Sequence, residues 1–192
     1  ALLGRHHEAR ASAEAGLERA RSAGNTHSLC FMLTFTAAMY WTARDDQAVL
    51  EHAGLATRLA RRHGFPLWHS MNALFSLWAR AHQGKLQGIA PALDAVGTLQ
   101  QAYRSGTSTA RWVLADTLLT LRRTDEAAAL LRVVTEDVER YQDYYCESAI
   151  LGLQARCEDT AGRSGTALRR RARALAELQG AHGLLHSTWL TP

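Results

Sequence analysis

Two histidine pairs are the first residues in this chain that could do chemistry, because imidazoles at helical spacing can bind a metal ion. His182 and His186 are four residues apart, which would place them on one face of a helix. Gly183 lies between them and is expected to end that helix. The adjacent His6 and His7 would point in different directions, and neither pair has the HExxH pattern. We therefore expect surface histidines, with no metal site and no cofactor.

Motifs of nucleophilic and nucleotide-dependent enzymes are missing from the sequence. It contains no GxSxG turn, no GxxxxGKS/T loop and no GxGxxG motif after a strand. The acidic pairs Asp45–Asp46 and Asp125–Glu126 fall at predicted helix starts, where carboxylates stabilise the helix N-terminus. We interpret them as capping residues rather than acid–base pairs, and we predict that the chain is not an enzyme.

An arginine run could contact nucleic acid or an acidic partner: Arg169–Arg171, with Arg163 and Arg173 nearby. It has no interleaved aromatic residues for base stacking, and the net charge of +4 is small. We expect the outer face of an amphipathic helix, and no binding of nucleic acid. Acids of a neighbouring repeat would complement this charge. We expect them to be Asp125, Glu126, Glu136, Asp137, Glu139 and Asp143.

The cysteines Cys30, Cys146 and Cys157 are odd in number, widely spaced and without a CxxC motif. This pattern argues against disulfides and zinc, and it is typical of small core residues in a reducing compartment. The longest apolar stretch, Leu29–Trp41, is shorter than the roughly 20 residues needed to span a bilayer. We expect a cytoplasmic protein without membrane contact.

A repeated pattern of turns predicts how these residues are positioned. Several turns are each followed by a small or aliphatic residue, and they begin roughly 40 residues apart, within the range of helical repeats. They begin at Gly4, Arg44, Gly84, Arg123 and Gly162. A second set of breaks, rich in glycine and polar residues, lies about 20 residues after each start. These are Gly24–Asn25, His63–Gly64, Ser105–Gly106, Gln142–Asp143 and His182–Gly183.

Between the breaks, apolar residues recur every three or four positions, which predicts helices. The predicted ranges are 5–23, 26–43, 46–62, 67–83, 87–104, 108–122, 125–141, 144–160 and 165–181, with a short cap near Leu184–Leu190. We predict an all-α fold, a tetratricopeptide-like right-handed solenoid of antiparallel helix pairs with about nine helices. One repeat domain would span 1–192 as a fragment of a longer protein, with units at roughly 1–43, 44–83, 84–122, 123–161 and 162–192.

Two kinds of helix alternate in this pattern. One kind carries small residues such as Ala53, Ala56 and Ala60, which would let neighbouring helices approach closely. The other kind carries bulky residues that we expect to fill the core between repeats. These include Phe31, Phe35, Trp41, Trp68, Phe75, Trp78 and Trp112.

Polar residues at helical spacing form a stripe on the second kind of helix. The stripe consists of His69, Asn72, Ser76, Arg80 and Gln83. The corresponding positions on the other helices are Thr36, Tyr40, Arg111, Asp116, Glu147 and Gln154. Two interpretations stay open: a groove that offers hydrogen bonds and a cation to a partner, or a solvated outer face. These residues are the candidate partner-binding site.

Two segments resemble a known family. Ala60–Trp68 reads ARRHGFPLW and Trp78–Gly84 reads WARAHQG. Both are similar to the tetratricopeptide-type region of bacterial multidomain signalling ATPases, which include cyclase-linked proteins and large transcriptional activators. The RTDEA segment from Arg123 resembles the repeated turn of that family. The resemblance implies a sensor or scaffold region without catalytic residues, although the repeats here are longer than the usual period of about 34.

The expected function is that of a non-catalytic interaction or regulatory module in a bacterial signalling or transcription-regulatory protein. Its partner would be a protein or peptide, including another domain of the parent chain. One alternative is a small-molecule sensor with a pocket lined by aromatic residues. The lining would be Trp41, Trp68, Trp78 and Trp112. Another is an assembly scaffold, because the apolar ends of a solenoid favour a homodimer.

Overall fold

The computed structural model describes residues 2–85, 90, 94, 107–142 and 144–191. All regular secondary structure in these residues is helical, which confirms the predicted all-α class. The described residues fall into two units: those from 5 to 94 form the first, and those at 2–4 and from 107 to 191 form the second. The prediction of one repeat domain with five units stays a prediction.

The first unit contains four described helices. They are α1 (His6–Ser22), α2 (Thr26–Thr42), α3 (Asp46–His63) and α4 (Pro66–His82). Short loops join them, so helices that are consecutive in sequence pack as antiparallel pairs. In addition, α2 and α4 lie side by side and run in the same direction. Phe31 packs on Trp68 near the start of both helices, and Trp41 packs on Phe75 further along.

Local capping residues set the ends of these helices. The Asn25 side chain accepts a hydrogen bond from Ser28 N at 2.9 Å, and Asp45 accepts one from Ala48 N at 3.0 Å. Gly64 ends α3 in the left-handed region with a φ of +69°. Glycine adopts this conformation easily because it has no Cβ that would clash with the backbone. The predicted capping role of Asp45 is confirmed.

The core of the first unit forms where small residues of α3 meet α2. Cys30, Leu33 and the α3 alanines Ala56 and Ala60 belong to one buried cluster. The Cys30 thiol donates a hydrogen bond to the Ala56 carbonyl at 3.4 Å, so the two backbones lie close together. The predicted role of the small residues on α3 is therefore confirmed.

The described part of the second unit contains helices of 13–18 residues, and these are followed by a C-terminal segment, residues 182–191. The helical elements are α5 (Thr107–Thr120), α6 (Thr124–Tyr141), a 3-10 turn (Tyr144–Cys146), α7 (Glu147–Thr160), α8 (Thr166–Leu178) and α9 (His182–Leu185). Trp112 of α5 and Trp189 of the C-terminal segment meet in a T-shaped contact, with ring centroids 4.8 Å apart. Both indole rings are buried, so they anchor this segment to the core.

The predicted helix ends agree with the structure except near the C-terminus. The predicted break at His182–Gly183 is wrong, because Gly180 takes the left-handed φ of +66° that follows α8. Gly183 lies within α9 instead, and its N–H donates to the Leu2 carbonyl at 2.8 Å. The predicted helix 87–104, apart from residues 90 and 94, falls outside the described residues, as do the breaks at Ser105–Gly106 and Asp143. No helix in the described part of the chain has the length and apolar character needed to cross a membrane.

All three cysteines are buried with unbridged thiols, so we expect them to be unreactive in the folded chain. Burial raises the pKa of the Cys157 thiol to about 11 and also raises the pKa of Cys30. Since the thiolate is the nucleophile, a thiol–disulfide exchange reagent near pH 8 should react slowly with the native chain and rapidly after denaturation. Rapid reaction of a thiol in the native state would contradict this burial. The raised pKa also means that stability falls as pH rises from about 9 towards 11, because the unfolded state loses the Cys157 proton first.

Candidate interaction surface

Ring-bearing side chains form one patch where α2 and α4 begin, which we call the aromatic surface. It consists of His27, Phe31, Phe35, Phe65 and Trp68. The three members on α2 are four residues apart, so they lie along one face of the helix. Phe65 immediately precedes α4 and Trp68 lies in its first turn. Because α2 and α4 are parallel neighbours, the two sets of rings meet.

The rings of the aromatic surface hold one another in place. The Trp68 ring makes T-shaped contacts with Phe31 and His27, with centroid distances of 5.5 and 5.7 Å. Trp68 Nε1 also donates a hydrogen bond to His27 Nε2 at 3.0 Å. The ring centroids of Phe35 and Phe31 are 4.6 Å apart, and those of Phe65 and His27 are 5.1 Å apart. A partner therefore meets rings that are already ordered, which lowers the entropic cost of binding.

Two of these rings leave a large part of their apolar surface in water. Phe31 is 41% exposed and Phe35 is 54% exposed. Completing their burial against a partner would contribute on the order of 1 kcal/mol for each ring. Grouped exposure of aromatic residues, unlike scattered exposure, is typical of a contact site.

A buried polar layer lies next to the aromatic surface, between α2 and α4. Asn72 is fully buried, and its Nδ2 donates to Thr34 Oγ1 and to the Trp68 carbonyl, both at 2.7 Å. Thr34 Oγ1 in turn donates to the Cys30 carbonyl at 2.8 Å. These bonds fix the register of α2 against α4 and hence the position of Trp68 beside Phe31.

Cations border the aromatic surface. The last turns of α1 and α3 lie beside the first turns of α2 and α4. The last turns of α1 and α3 carry the basic residues Arg19, Arg21, Arg61 and Arg62. Arg21 approaches the exposed Glu18 at 3.9 Å, whereas Arg61 and Arg62 form no ion pair within the described residues. The first turns of α2 and α4 contain no acid that would offset this charge. This end of the first unit is therefore positively charged.

A shallow depression adjoins the aromatic surface at Phe65. It has a volume of about 310 Å³. Its lining consists of Ala60, Arg61, Gly64, Phe65, Pro66 and His69. The volume is at the small end of the roughly 300–1,000 Å³ range of protein ligand pockets. It therefore suits one inserted side chain better than a cofactor.

The predicted polar stripe of the first unit is not a continuous exposed face. Asn72 is fully buried, and Thr36 is buried with its hydroxyl donating to the Met32 carbonyl at 2.7 Å. This corrects the expected exposure of both, since each side chain satisfies the backbone of its own helix. Tyr40 is partly buried and packs on His52, with the two ring centroids 5.2 Å apart. Partner binding by the remaining members stays a prediction: His69, Ser76 and Gln83 are partly exposed and Arg80 is exposed.

The predicted site residues of α5 are also buried. Arg111 forms an ion pair with Asp137 of α6, and the two side chains are only 10% and 14% exposed. Asp116 is fully buried, with a carboxylate oxygen 3.7 Å from Nη1 of Arg156 on α7. These pairs hold α5 to its neighbours, so the structure corrects their expected place on an accessible face. In each pair, loss of one charged residue would leave the other charge unpaired in a poorly solvated position.

The predicted residues of α7 contact neighbouring helices as well. Glu147 pairs with Arg171 of α8 at 3.1 Å. The Gln154 side chain donates to Thr135 Oγ1 of α6 at 2.9 Å. Both residues are partly exposed, and a role for them in partner binding stays a prediction.

The arginine run of α8 forms the outer face of an amphipathic helix, as predicted. Its ion-pair partners differ from the expected ones, because they are acids of α7, the helix against which α8 packs. The pairs are Arg163–Glu158, Arg169–Asp159 and Arg171–Glu147. The arginine hydrogen bonds lower the pKa of the Glu158 and Asp159 carboxyls. Of the expected acids, Asp137 pairs with Arg111, and Glu126 pairs with Arg123, the residue immediately before α6.

Tryptophans of the core do not line a surface. Trp41, Trp78 and Trp112 are at most 1% exposed. Trp41 packs on Phe75 with ring centroids 5.8 Å apart, as expected for core packing. Trp68 alone among the four tryptophans considered for a pocket reaches the surface of the described structure, as part of the aromatic surface.

The described residues contain no group of three or more histidine, cysteine, aspartate or glutamate side chains placed to bind a metal ion. His182 and His186 are both exposed at the C-terminal end of the second unit.

Sequence reasoning missed the aromatic surface, because Phe31 and Phe35 were expected in the core. The helix α2 is apolar on nearly all sides, and a helix of that kind is usually buried. One signal was available. The line His27, Phe31, Phe35 is separate from the line of Cys30, Leu33, Ala37 and Trp41, which is the one that the structure buries.

No family model, curated protein or solved structure matches the chain. A function for the aromatic surface therefore rests on its own geometry and charge.

Proposed function

We propose that the chain is a non-catalytic protein-interaction module and that its partner binds the aromatic surface. The observation that carries this proposal is the exposure of Phe31 and Phe35 in an ordered cluster with Trp68. Protein interfaces are enriched in aromatic residues, and a few such residues supply most of the binding energy. The ring contacts preorganise this cluster before a partner arrives.

The finer architecture that we propose is a tetratricopeptide-like right-handed solenoid. Antiparallel pairing through short loops supports it, as does the parallel arrangement of α2 beside α4 in the first unit. Repeats of this kind present matching helices of successive units to a binding partner. The sequence resemblance supports a regulatory role in a bacterial signalling or transcription-regulatory protein.

Phe35→Glu is the variant that tests this function. Phe35 is the most exposed of the three phenylalanines of the aromatic surface, so a carboxylate there should leave the fold intact. It should weaken partner binding at least about tenfold, because it places a charge within an apolar contact. The measurement is capture of proteins from the source lysate, and of other segments of the parent polypeptide, by the immobilised chain.

Leu178→Glu provides the matched control, because Leu178 is an apolar residue that is 85% exposed on α8, outside the aromatic surface. A partner retained by the native chain and by Leu178→Glu, but lost with Phe35→Glu, supports the function. Equal retention by all three proteins would place the binding site elsewhere. Helical circular dichroism of each variant verifies that the fold is unchanged.

A further inference from the structure

We infer that the partner of the aromatic surface is an acidic protein segment with bulky apolar side chains, whose carboxylates lie against Arg61 and Arg62. The inference rests on the proposed function, because it names the chemistry of what the same surface binds.

The first step is the charge of the chain around the aromatic surface. Residues 18–35 and 58–72 supply its rings and borders, and together they contain five arginines and one glutamate. The glutamate, Glu18, already lies beside Arg21. The surface therefore favours a negatively charged partner and repels a basic one.

The second step is that Arg61 and Arg62 have no evident structural use. In the second unit, Arg163, Arg169 and Arg171 each pair with an acid of α7. By contrast, Arg61 and Arg62 are exposed and form no ion pair in the described part of the first unit. Cations in a last helical turn do favour the helix, but the end of α3 is already closed by Gly64 in the left-handed conformation.

The third step is that charged and aromatic groups line the same depression. Its lining includes Arg61 together with Phe65, Pro66 and His69. Phe65 belongs to both the depression and the aromatic surface, so the two are continuous. An apolar side chain in the depression would place a neighbouring carboxylate of the same segment within reach of Arg61.

A protein segment fits this surface better than a single-stranded nucleic acid does. Binding of bases requires rings whose faces are open for stacking along a basic groove. Here Trp68 meets Phe31 and His27 edge to face, and the rings pack on one another. Rings packed on one another in this way suit aliphatic and aromatic side chains.

The experiment selects ligands from a random short-peptide library displayed on phage, with the full chain as bait and Phe35→Glu as the subtractive control. We expect enriched peptides that combine net negative charge with leucine or aromatic residues. Synthetic copies should bind Arg61→Glu/Arg62→Glu at least about tenfold more weakly than the native chain. Copies with lysine in place of the acids should bind that variant better than they bind the native chain.

A control for total charge is Arg132→Glu/Arg140→Glu, which reverses two exposed arginines on α6 of the second unit. It should leave peptide affinity unchanged. Neutral or basic peptides that bind equally well after reversal of Arg61 and Arg62 would overturn the inference and leave the proposed function standing. A selection in which no peptide distinguishes the native chain from Phe35→Glu would overturn both.

Two further measurements could overturn the inference directly. Fluorescence anisotropy with a labelled single-stranded oligonucleotide would overturn it if that probe bound as tightly as the selected peptides and lost affinity with Phe35→Glu. Light scattering over a concentration series would overturn it if the native chain formed a dimer that Phe35→Glu dissociates, because the occupant would then be a second copy.

Discussion

Gly152→Ala is expected to destabilise the second unit by about 3 kcal/mol, although alanine is normally the better residue inside a helix. Gly152 lies in α7 directly beneath the C-terminal segment. A Cβ there would lie 2.2 Å from the Trp189 carbonyl oxygen and 2.9 Å from its carbonyl carbon. These are backbone atoms, which cannot rotate away as a side chain can. The C-terminal segment would have to move off α7, which would expose the buried Trp189 and Leu190.

The measurement is the free energy of unfolding from urea denaturation, compared with Gly54→Ala as a matched helical control. At Gly54 a Cβ would meet only the end of Arg58, at 3.7 Å. We therefore expect Gly54→Ala to stabilise the first unit by about 0.5–1 kcal/mol, the usual gain from glycine to alanine in a helix. Equal effects of the two substitutions would contradict the close approach at Gly152.

Arg111→Met is expected to cost about 3 kcal/mol, because it leaves Asp137 without its cation in a position only 14% exposed. Methionine retains most of the apolar stem, so the loss reports the charge more than the packing. The double variant Arg111→Met/Asp137→Leu should recover most of the stability, since apolar residues can replace a buried pair. Urea denaturation of the native chain, both single variants and the double variant gives the coupling between the two residues.

Arg163→Met is the exposed counterpart, because the Arg163 side chain is 64% exposed while it pairs with Glu158. Its substitution should cost less than about 1 kcal/mol, as for other surface pairs. If Arg111→Met lost partner affinity without losing stability, the structural role of Arg111 would be wrong. The sequence-based place of Arg111 in the partner site would then be restored.

Most helix boundaries could be read from the sequence, because the interactions that set them are local. Asn25 and Asp45 cap helices through backbone groups three residues away, and Gly64 ends α3 through its own φ. The C-terminal break could not be read in this way. Gly180 and Gly183 are both suited to end a helix, and the choice depends on contacts such as the hydrogen bond from Gly183 to Leu2.

The candidate site was less predictable, since exposure depends on neighbours that are distant in sequence. Arg80 and Arg111 both belong to the predicted polar stripe, yet Arg80 is exposed and Arg111 is buried against Asp137. Nothing within a turn of Arg111 indicates that partner, because the acid lies on the next helix. The sequence can therefore assign a polar residue to a face of its helix, but it cannot show whether that face is exposed to solvent.

The sequence by itself determined the helical class, the turns and the apolar character of α2. Only the tertiary structure decided which side of α2 is covered. Its inner line, with Cys30 and Leu33, is buried against the small residues of α3. Its other line, with Phe31 and Phe35, meets Trp68 but no further layer among the described residues, so these rings remain partly in water. Both lines are apolar, so the composition of α2 does not decide which of them is buried. The helices that pack against α2 decide it.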